Sequence, residues 1–343
     1  MFVIRPIAEN DLDGLIQLAE QATYGLSTLP RDPDHLAGRI TASIAGFGNI
    51  EDAAPRGQTY LFAMHDTDTG QVVGCSGIAS KVGGFEPFYA YRIETKVHES
   101  TVLNVRKEIQ ALHLVAEHNG PSEIGSLYLH PDHRGAGNGR ALSLSRFLFI
   151  TDHRPYFDDE IIAEMRGVID PNGHSPFWDA LGHKFFDIDF PFADYLSVVN
   201  KQFIADLMPR HPIYVTMLPD DAQAVIGQVH PNTAPALALL ESEGFQRTGM
   251  VDIFEAGPVV MCPRDEIRCV KHAMRCPVSK LSAPSDDDPI HLLSNGQRDV
   301  RICAAPIQLN GNESVTLSPD VAEHLMINVD DTITHIPLRL SQT

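Results

Sequence analysis

The most informative stretch of this chain is His133-Arg134-Gly135-Ala136-Gly137-Asn138-Gly139-Arg140. It lies between an apolar run at residues 124–129 and a helix-like run at residues 141–150. This order predicts a strand, a tight loop and the start of a helix. Glycines allow the positive φ angles of a tight loop and let a ligand approach the backbone closely. The first helical turn offers unpaired N–H groups at its positive end, so the loop predicts a site for an anion such as a pyrophosphate.

The spacing of the glycines separates this loop from two familiar phosphate-binding patterns. The sequence Gly-x-x-x-x-Gly-Lys-Ser/Thr is absent, and Gly135, Gly137 and Gly139 are too close together for a dinucleotide fingerprint. Arg134 and Arg140 flank the glycines and can add charge-assisted hydrogen bonds. The order Arg-x-x-Gly-x-Gly after a strand resembles the acyl-CoA loop of the GNAT superfamily of N-acyltransferases. A glycine-rich turn without a ligand is the alternative, and the motif alone does not decide between them.

Composition limits the classes of partner. The 343 residues suffice for roughly two domains, and 26 Lys and Arg stand against 45 Asp and Glu, a net charge of −19. So acidic a chain is a poor candidate for nucleic-acid or anionic-membrane binding, and it suits a cationic small substrate. Any anion site must therefore be basic locally. No run approaches the ~18 apolar residues of a membrane span, and the N-terminus lacks a secretory pattern, so we expect a soluble, cytoplasmic protein.

Neither the cysteines nor the histidines predict a metal centre. The five cysteines contain no Cys-x-x-Cys pair, which favours free thiols: Cys75, Cys262, Cys269, Cys276 and Cys303. Cys75 is interpreted as a small core residue on a strand. His130 and His133 are close in sequence, but no third ligand accompanies them. No metal is expected.

Periodicity and turn residues predict a chain of short strands and helices. Strands are predicted at residues 2–4, 60–64, 72–78, 126–129, 161–165, 300–302, 314–317 and 332–338. Helices are predicted after Asn10 or Asp11, at residues 35–45, 141–150, 177–181 and 319–326, and from an Asn232 cap to a stop at Gly244. Residues 279–289 have the composition of an interdomain linker or of a long surface loop. Residues 171–185 and 231–245 share a Pro-Asn opening and a Phe ending, which predicts a diverged helix-then-strand repeat.

Longer runs carry a more specific resemblance than the glycine loop does. The main ones are residues 86–92, 127–132, 163–168, 207–214, 225–231 and 251–258. Through them the chain resembles the arginine N-succinyltransferase family, strongly to about residue 260 and thinly beyond it. The resemblance implies an α+β, GNAT-like mixed sheet flanked by helices, with a small, mostly β C-terminal module. It implies an acyl-CoA-dependent region at residues 1–262, which the repeat would divide near residue 190 into two related units (about 1–190 and 191–262), and a C-terminal domain at residues 263–343.

The resemblance also implies an activity. A member of this family transfers the succinyl group of succinyl-CoA, its co-substrate, to the α-amine of L-arginine, which gives N2-succinyl-L-arginine and CoA. The chain would form a homodimer, or a hetero-oligomer with a related subunit. Three alternatives stay open: ornithine or another amine as acceptor, a different acyl-CoA as donor, or a less active CoA-binding partner subunit.

The residues expected in the site follow from the same resemblance. It implies that His230, stiffened by Pro231, donates a proton, and histidine is suited by its pKa to proton transfer. It implies that Leu127 contacts succinyl-CoA, where a splayed or bulged backbone can free an N–H for the thioester carbonyl. Without the resemblance, a loop histidine and a core leucine would be the ordinary interpretations. Arg134, Gly137 and Gly139 are expected to bind the coenzyme.

The charged ends of the two substrates need partners of opposite charge. For the succinyl carboxylate the candidates are Arg92, Lys96 and Arg166. For the guanidinium they are Glu86 and Glu94. Glu94 and Lys96 introduce charge where the family commonly has the run Val-Gly-Thr-Val-Val-His, so substrate preference depends on whether that segment lines the pocket.

Overall fold

The structure, a computed structural model, describes residues 1–22, 26, 28–49, 54–283, 285, 287–311 and 313–339. Its strands are β1 (Phe2–Pro6), β2 (Thr59–Asp66), β3 (Gln71–Ala79), β4 (Gly83–Ser100), β5 (Val105–Asn119), β6 (Ser122–Leu129), β7 (Glu160–Glu164), β8 (Ile213–Tyr214), β9 (Gln246–Val251), β10 (Pro258–Pro263), β11 (Met274–Leu281), β12 (Ile290–Ser294), β13 (Ile302–Pro306), β14 (Gln308–Asn310), β15 (Ser314–Leu317) and β16 (Thr332–Pro337). Its helices are α1 (Leu12–Gln21), α2 (Pro33–Gly48), α3 (Asn138–Asp152), α4 (His183–Phe186), α5 (Phe190–Val199), α6 (Gln202–Leu207), α7 (Asp220–Val225), α8 (Ala234–Ser242), α9 (Arg268–His272) and α10 (Pro319–Leu325). The predicted α+β class is confirmed.

The strands of the described residues follow one hydrogen-bonded order, β14-β15-β11-β16-β12-β13-β1-β2-β3-β6-β7-β10-β9-β4-β5-β8. Neighbours are antiparallel except the parallel pairs β6–β7 and β11–β15, so the sheet is mixed, as predicted. The β6–β7 ladder is short: Ser122 pairs with Ile161 and Glu123 with Ile162. Pairing stops there although β6 continues to Leu129. A gap therefore opens beside the second half of β6.

Helices cover both faces of the sheet, as predicted. The neighbouring residues Leu61 and Phe62 of β2 point to opposite faces, because side chains alternate along a strand. Leu61 packs with Leu36 and Ile40 of α2, and Phe62 packs with Phe147 of α3. Every residue of α3 from 141 to 150 is buried, because strands β3, β6, β12, β13 and β16 and helix α9 surround it. No helix in the described ranges is both long and apolar enough to cross a bilayer.

The C-terminal strands form the small, mostly β module that was predicted. Val278, Leu317 and Leu325 belong to its own core. Strand β13 also pairs with β1, so the strands of the module extend the N-terminal sheet. Of residues 279–289, the first three belong to β11, and the next strand, β12, begins at Ile290. Pro284 and Asp286 lie outside the described residues. Because β11 and β12 both belong to this module, the stretch does not separate two domains.

A long hairpin was not predicted. Strands β4 and β5 pair from Phe88–Glu117 out to Ser100–Val105, whereas β9 and β8 reach only the residues next to its base. The outer part, residues 93–110, is a two-stranded arm without further strand neighbours, which we call the hairpin arm. Its sequence is charged and lacks a buried face, so it gives no apolar alternation to recognise.

The repeat prediction fails on its first copy. Residues 231–245 contain α8 and lead into strand β9, whereas residues 171–185 lead through a π-helical turn and α4 into helix α5. The helix-then-strand order therefore occurs only in the second stretch. The N-cap of α8 is Thr233 and not Asn232. Gly244, with φ +105°, follows that helix as predicted.

Helix α2 packs closely against β2, and substitutions at its glycines can measure the space between the two backbones. A Cβ at Gly46 would stand 2.4 Å from the backbone oxygen of Thr59, while a Cβ at Gly38 meets nothing within 4 Å. We expect Gly46→Ala to lower the free energy of unfolding by about 1–3 kcal/mol through overpacking. Gly38→Ala should raise it by about 0.5–1 kcal/mol, since alanine is the better helix former. Urea unfolding of both variants measures this; equal effects would contradict the close approach.

Two histidines of the C-terminal module are buried against each other. His291 on β12 and His335 on β16 are each 1% exposed, and their Nδ1 atoms lie 3.0 Å apart. Burial lowers the pKa of both, and with the help of its neighbour brings that of His291 to about 4. The folded protein therefore holds the two rings neutral, one donating and one accepting.

This pair makes stability depend on pH. In the unfolded chain a histidine binds a proton near pH 6.5, whereas in the folded protein His291 does so only near pH 4. Above pH 6.5 both states are neutral, and the full stability of the fold is present. As pH falls from 6.5 toward about 4, only the unfolded state gains protons, so the free energy of unfolding decreases. The free energy of unfolding should therefore decrease between pH 7 and pH 5. The double variant His291→Leu/His335→Leu, which removes both titrating groups, should show a smaller decrease. If its slope equals that of the wild type, the pair does not contribute.

Candidate functional site

The glycine loop joins β6 to α3, as predicted. Three consecutive residues adopt left-handed backbone angles: Gly135 with φ +115°, Ala136 with φ +49° and Gly137 with φ +91°. Gly137 is the N-cap of the 15-residue helix α3, and no side chain caps that helix. A side chain at Gly137 would be strained by its φ angle and would stand 3.1 Å from Leu338. The C-terminal module therefore borders the loop.

The backbone donors of this loop are largely unused. Ala141 donates to Gly137, which is the first bond that closes a full turn of α3. No described residue accepts a hydrogen bond from the N–H groups of Ala136, Gly137, Gly139 or Arg140. Unpaired N–H groups at the positive end of a helix form an anion site. The geometry is that expected for binding a phosphate.

Two arginines flank the loop at different depths. Arg134 is exposed, donates from Nε to the Leu129 carbonyl at 3.1 Å and lies 6.0 Å from the Tyr128 ring centre. Arg140 is partly buried, and its Nη1 has neither solvent contact nor a partner in the described chain. Burial lowers the pKa of Arg140; the charge of Glu243 opposes this shift, and the positive charges of Arg268 and Arg339 add to it. Arg134 and Arg140 thus place two positive charges beside the loop of an acidic protein.

The strand before the loop carries a β-bulge. The pairing of β6 with β3 slips by one residue between Gly125 and Tyr128. Ser76 of β3 therefore faces two residues, Ser126 and Leu127, and Ser126 has φ +51°. A bulge frees backbone groups from the ladder and redirects them. Leu127 thus lies where the backbone departs from regular pairing, in the open half of β6.

Side chains from both faces of the sheet hold this bulge. Arg39 of α2 donates from Nη2 to Ser126 Oγ at 2.9 Å. Arg146 of α3 donates from Nη1 to the Gly125 carbonyl at 3.4 Å. The Cys75 thiol lies 3.2 Å from the Ser126 carbonyl, and burial raises the pKa of that thiol to about 12. Cys75 is therefore a core residue, as interpreted from the sequence, and not a nucleophile.

Four carboxylates interact around the end of β7, and we call them the acidic cluster: Glu123, Glu164, Asp252 and Glu255. Burial raises the pKa of Asp252 to about 6, although the N–H groups of Phe254 and Glu255 each donate to it at 2.7 Å. Burial and the charge of Asp252 raise the pKa of Glu255 well above its usual range. Crowded carboxylates favour a cation or a proton between them.

Glu164, at the end of β7, is the centre of this cluster. The residue retains solvent-accessible surface. Partial desolvation of its carboxylate, followed by the charges of Glu123 and Asp252, raises the pKa of Glu164 well above its usual range. The nearby Lys201 opposes this shift.

His230 is joined to the end of β7. Its backbone N–H donates to the Arg166 carbonyl at 2.8 Å, and its Nδ1 accepts from the Asn232 N–H at 3.1 Å. That bond assigns the proton of the neutral ring to Nε2. Burial and then the charge of Arg166 lower the pKa of His230, against a hydrogen bond to the Ile169 carbonyl. The imidazole is therefore neutral at pH 7.

The structure thus places the predicted residues in two groups. Arg134, Gly137 and Gly139 form one loop, and Leu127 lies on the strand that leads into it. His230 is attached to the neighbouring strand, β7, across the gap.

Of the candidates for the charged substrate ends, only Arg166 lies near His230 and the acidic cluster. Glu86 and Arg92 are exposed on β4, and Lys96 is exposed on the hairpin arm. Glu94, also on the hairpin arm, lies 3.3 Å from His113.

Sequence reasoning missed Arg39 and the acidic cluster. Glu164, Asp252 and Glu255 lie within the runs 163–168 and 251–258, so the resemblance held a signal for them. For Arg39, a lone arginine on a helix, it held none.

Comparison with known proteins identifies the family that the chain resembles over its length. The model of the arginine N-succinyltransferase beta subunit family matches residues 2–269, and the model of the C-terminal domain of that subunit matches residues 274–337. The arginine N-succinyltransferase subunit beta of Pseudomonas aeruginosa is 43% identical over 339 residues, 98% of each chain. The arginine N-succinyltransferase of Enterobacter sp. (strain 638) is 43% identical over 97% of this chain and 96% of its own. The solved arginine/ornithine succinyltransferase subunit AI from Pseudomonas aeruginosa is 32% identical, with a TM-score of 0.90 over 99% of both chains.

Gly139 offers a test of the loop that leaves the fold intact. Its φ angle is not left-handed, and a Cβ there would meet only Leu129 Cδ2, at 3.9 Å. Gly139→Ala should therefore unfold like the wild type. A methyl group over the unpaired N–H groups should weaken CoA binding by roughly 10- to 100-fold, the value of one charged hydrogen bond. Calorimetric titration with CoA measures this, with Gly38→Ala as the control; wild-type affinity in Gly139→Ala would contradict the assignment.

Proposed function

The chain belongs to the arginine N-succinyltransferase beta subunit family, and from this membership we propose that it transfers the succinyl group of succinyl-CoA to the α-amine of L-arginine. The products are N2-succinyl-L-arginine and CoA. The observation that carries the proposal is the bulge at Ser126 and Leu127 directly before a loop of unpaired N–H groups. The bulge provides a binding site for the thioester, and the adjoining loop provides one for the phosphates of CoA.

The coenzyme binds along β6 and the loop. Its pyrophosphate accepts hydrogen bonds from the loop around Gly137 and Gly139, with Arg134 adding charge from the exposed side. The thioester then lies against the bulge at Leu127. A backbone N–H that the ladder no longer uses can stabilise the carbonyl oxygen as it gains charge during attack. An apolar side chain contributes no chemistry, so the role of Leu127 is carried by its backbone and packing.

The acceptor enters from the side of the acidic cluster. Arginine brings a guanidinium and an ammonium group, and the four crowded carboxylates favour a cation there. The ammonium must lose a proton before it attacks. Glu164 has a raised pKa and is solvent-accessible, so it is suited to take that proton and pass it to water.

His230 completes the proton transfers. After the amine has added to the thioester carbon, its nitrogen carries a positive charge and is strongly acidic. A neutral imidazole accepts that proton and delivers one to the departing sulfur as the carbon–sulfur bond breaks. The histidine is neutral again at the end of the cycle, and the products are an amide and a thiol.

Ornithine is a second candidate acceptor, favoured by one observation. The solved relative with a TM-score of 0.90 is named an arginine/ornithine succinyltransferase subunit. Ornithine carries an ammonium where arginine carries the guanidinium, and the acidic cluster suits either. Rates with the two amines, measured side by side, decide the preference.

The organisation of the chain follows from the same proposal. Residues 1–262 form the acyltransferase region, and residues 263–343 form a C-terminal domain that borders the coenzyme loop through Leu338. The chain acts in the cytoplasm as a homodimer or as a hetero-oligomer with a related subunit. The hairpin arm supports an assembly, because it exposes apolar side chains, Val102 to 93% and Leu103 to 72%.

Thiol release tests the activity. The purified chain with arginine and succinyl-CoA should release CoA thiol, and His230→Ala should lower the rate by about 10²- to 10⁴-fold, as expected for a missing acid–base group. His98→Ala, which removes an exposed histidine from the hairpin arm, is the control and should react like the wild type. A folded wild type that releases no thiol would refute the assignment, and wild-type turnover by His230→Ala would refute the role of that residue.

A further inference from the structure

Arg39 is a partly buried cation with an unused donor. Its side chain extends from α2 to the bulge, where Nη2 donates to Ser126 Oγ at 2.9 Å. Its Nη1 has no solvent contact and no hydrogen-bond partner among the described residues. The side chain as a whole retains some accessible surface. A small rotation of the planar group can therefore present both terminal nitrogens to an anion.

The charge of Arg39 has no counter-ion in the described chain. No carboxylate oxygen lies within 4.0 Å of its guanidinium, although Glu123 is near enough for its charge to act on Arg39. Arg5 and Arg268 are neutralised by carboxylates, Asp11 at 2.7 Å and Glu243 at 2.6 Å. The buried Arg146 has no carboxylate partner in the described chain, but Nε, Nη1 and Nη2 of its side chain each donate a hydrogen bond. A shielded charge without a partner is costly, and such groups are ordinarily paired.

The position of Arg39 points to the substrate and not to a structural partner. Ser126, which it contacts, precedes Leu127 in the bulge. The N-terminus of helix α2 is held in place as well, because the Tyr195 hydroxyl of α5 donates to the N-cap residue Asp32 at 2.9 Å. The guanidinium is thus fixed beside the gap in which the acyl group and the acceptor meet.

We propose that Arg39 binds a carboxylate of a substrate, an inference that rests on the proposed function. A guanidinium matches the two oxygens of a carboxylate with two parallel donors. Two groups have this chemistry, the distal carboxylate of the succinyl group and the α-carboxylate of arginine. In either case the site selects for the acid, because an analogue without it leaves the guanidinium unpaired.

Paired substrates distinguish the two sources. Butyryl-CoA replaces the distal carboxylate of succinyl-CoA by a methyl group, and agmatine lacks the α-carboxylate of arginine. If the wild type binds the succinyl carboxylate, it prefers succinyl-CoA to butyryl-CoA. If it binds the α-carboxylate, it prefers arginine to agmatine. Arg39→Gln should lower kcat/KM for succinyl-CoA and arginine by roughly 10- to 100-fold and should abolish one of the two preferences. Loss of the acyl preference assigns the succinyl carboxylate, and loss of the acceptor preference assigns that of arginine.

Two variants control this experiment. Arg39→Lys keeps the charge but not the paired donors, and its effect should lie between those of the wild type and Arg39→Gln. Arg106→Gln makes the same change on the exposed hairpin arm and should leave both preferences intact. Urea unfolding establishes that each variant is folded. If both preferences persist in Arg39→Gln, or if its loss is equal for all four substrates, the proposal is overturned.

Calorimetry separates this inference from the proposed function. The Kd values of succinyl-CoA and of arginine do not require turnover. If the wild type releases no thiol, the proposed function fails, and a weaker affinity of Arg39→Gln for either compound still supports a carboxylate site. If both affinities equal those of the wild type, the carboxylate site is refuted whatever the enzyme does.

Discussion

The break in pairing between β6 and β7 is the constraint on which the rest of this structure depends. Two parallel strands that stayed paired would use their backbone groups on each other and leave no room between them. Here the ladder ends at Glu123, and a bulge at Ser126 turns the backbone that follows. Because the glycine loop comes directly afterwards, freed strand groups and unpaired helix amides face the same ligand. The surrounding helices hold an opening that a regular sheet would close.

Charge is separated across this opening. The chain carries a net charge of −19, and a coenzyme with several phosphates would be repelled by most of its surface. Backbone amides, Arg134 and Arg140 form a local positive region on the side of α3. Of the acidic cluster, Glu164 ends β7, Asp252 and Glu255 follow β9, and Glu123 lies on β6 where its pairing with β7 stops. An anionic donor and a cationic acceptor can therefore approach from different sides, and each is held away from the region that would repel it.

Local features of this fold could be predicted from the sequence, and non-local ones could not. The loop at residues 135–140 was predicted because its signals, the glycines and the flanking apolar runs, lie within a few positions of one another in the sequence. The hairpin arm was missed because its residues, such as Lys96 and Lys107, are exposed and show no buried face. The acidic cluster joins residues about 130 positions apart through the pairing of β7, β10 and β9, and no sequence period records that pairing. His230 was predicted as a site residue only from the resemblance. Its lowered pKa arises from burial and from Arg166, which are effects of the folded structure that the local sequence does not show.

The central claim is that backbone amides of the loop bind the phosphates of the coenzyme and thereby set the thioester beside the bulge. A crystal structure of the protein with bound CoA tests this most directly. Phosphate oxygens are expected at about 2.7–3.2 Å from the backbone nitrogens of Gly137 and Gly139, with the sulfur near Leu127. Coenzyme bound elsewhere, with the loop amides still unpaired, would contradict it.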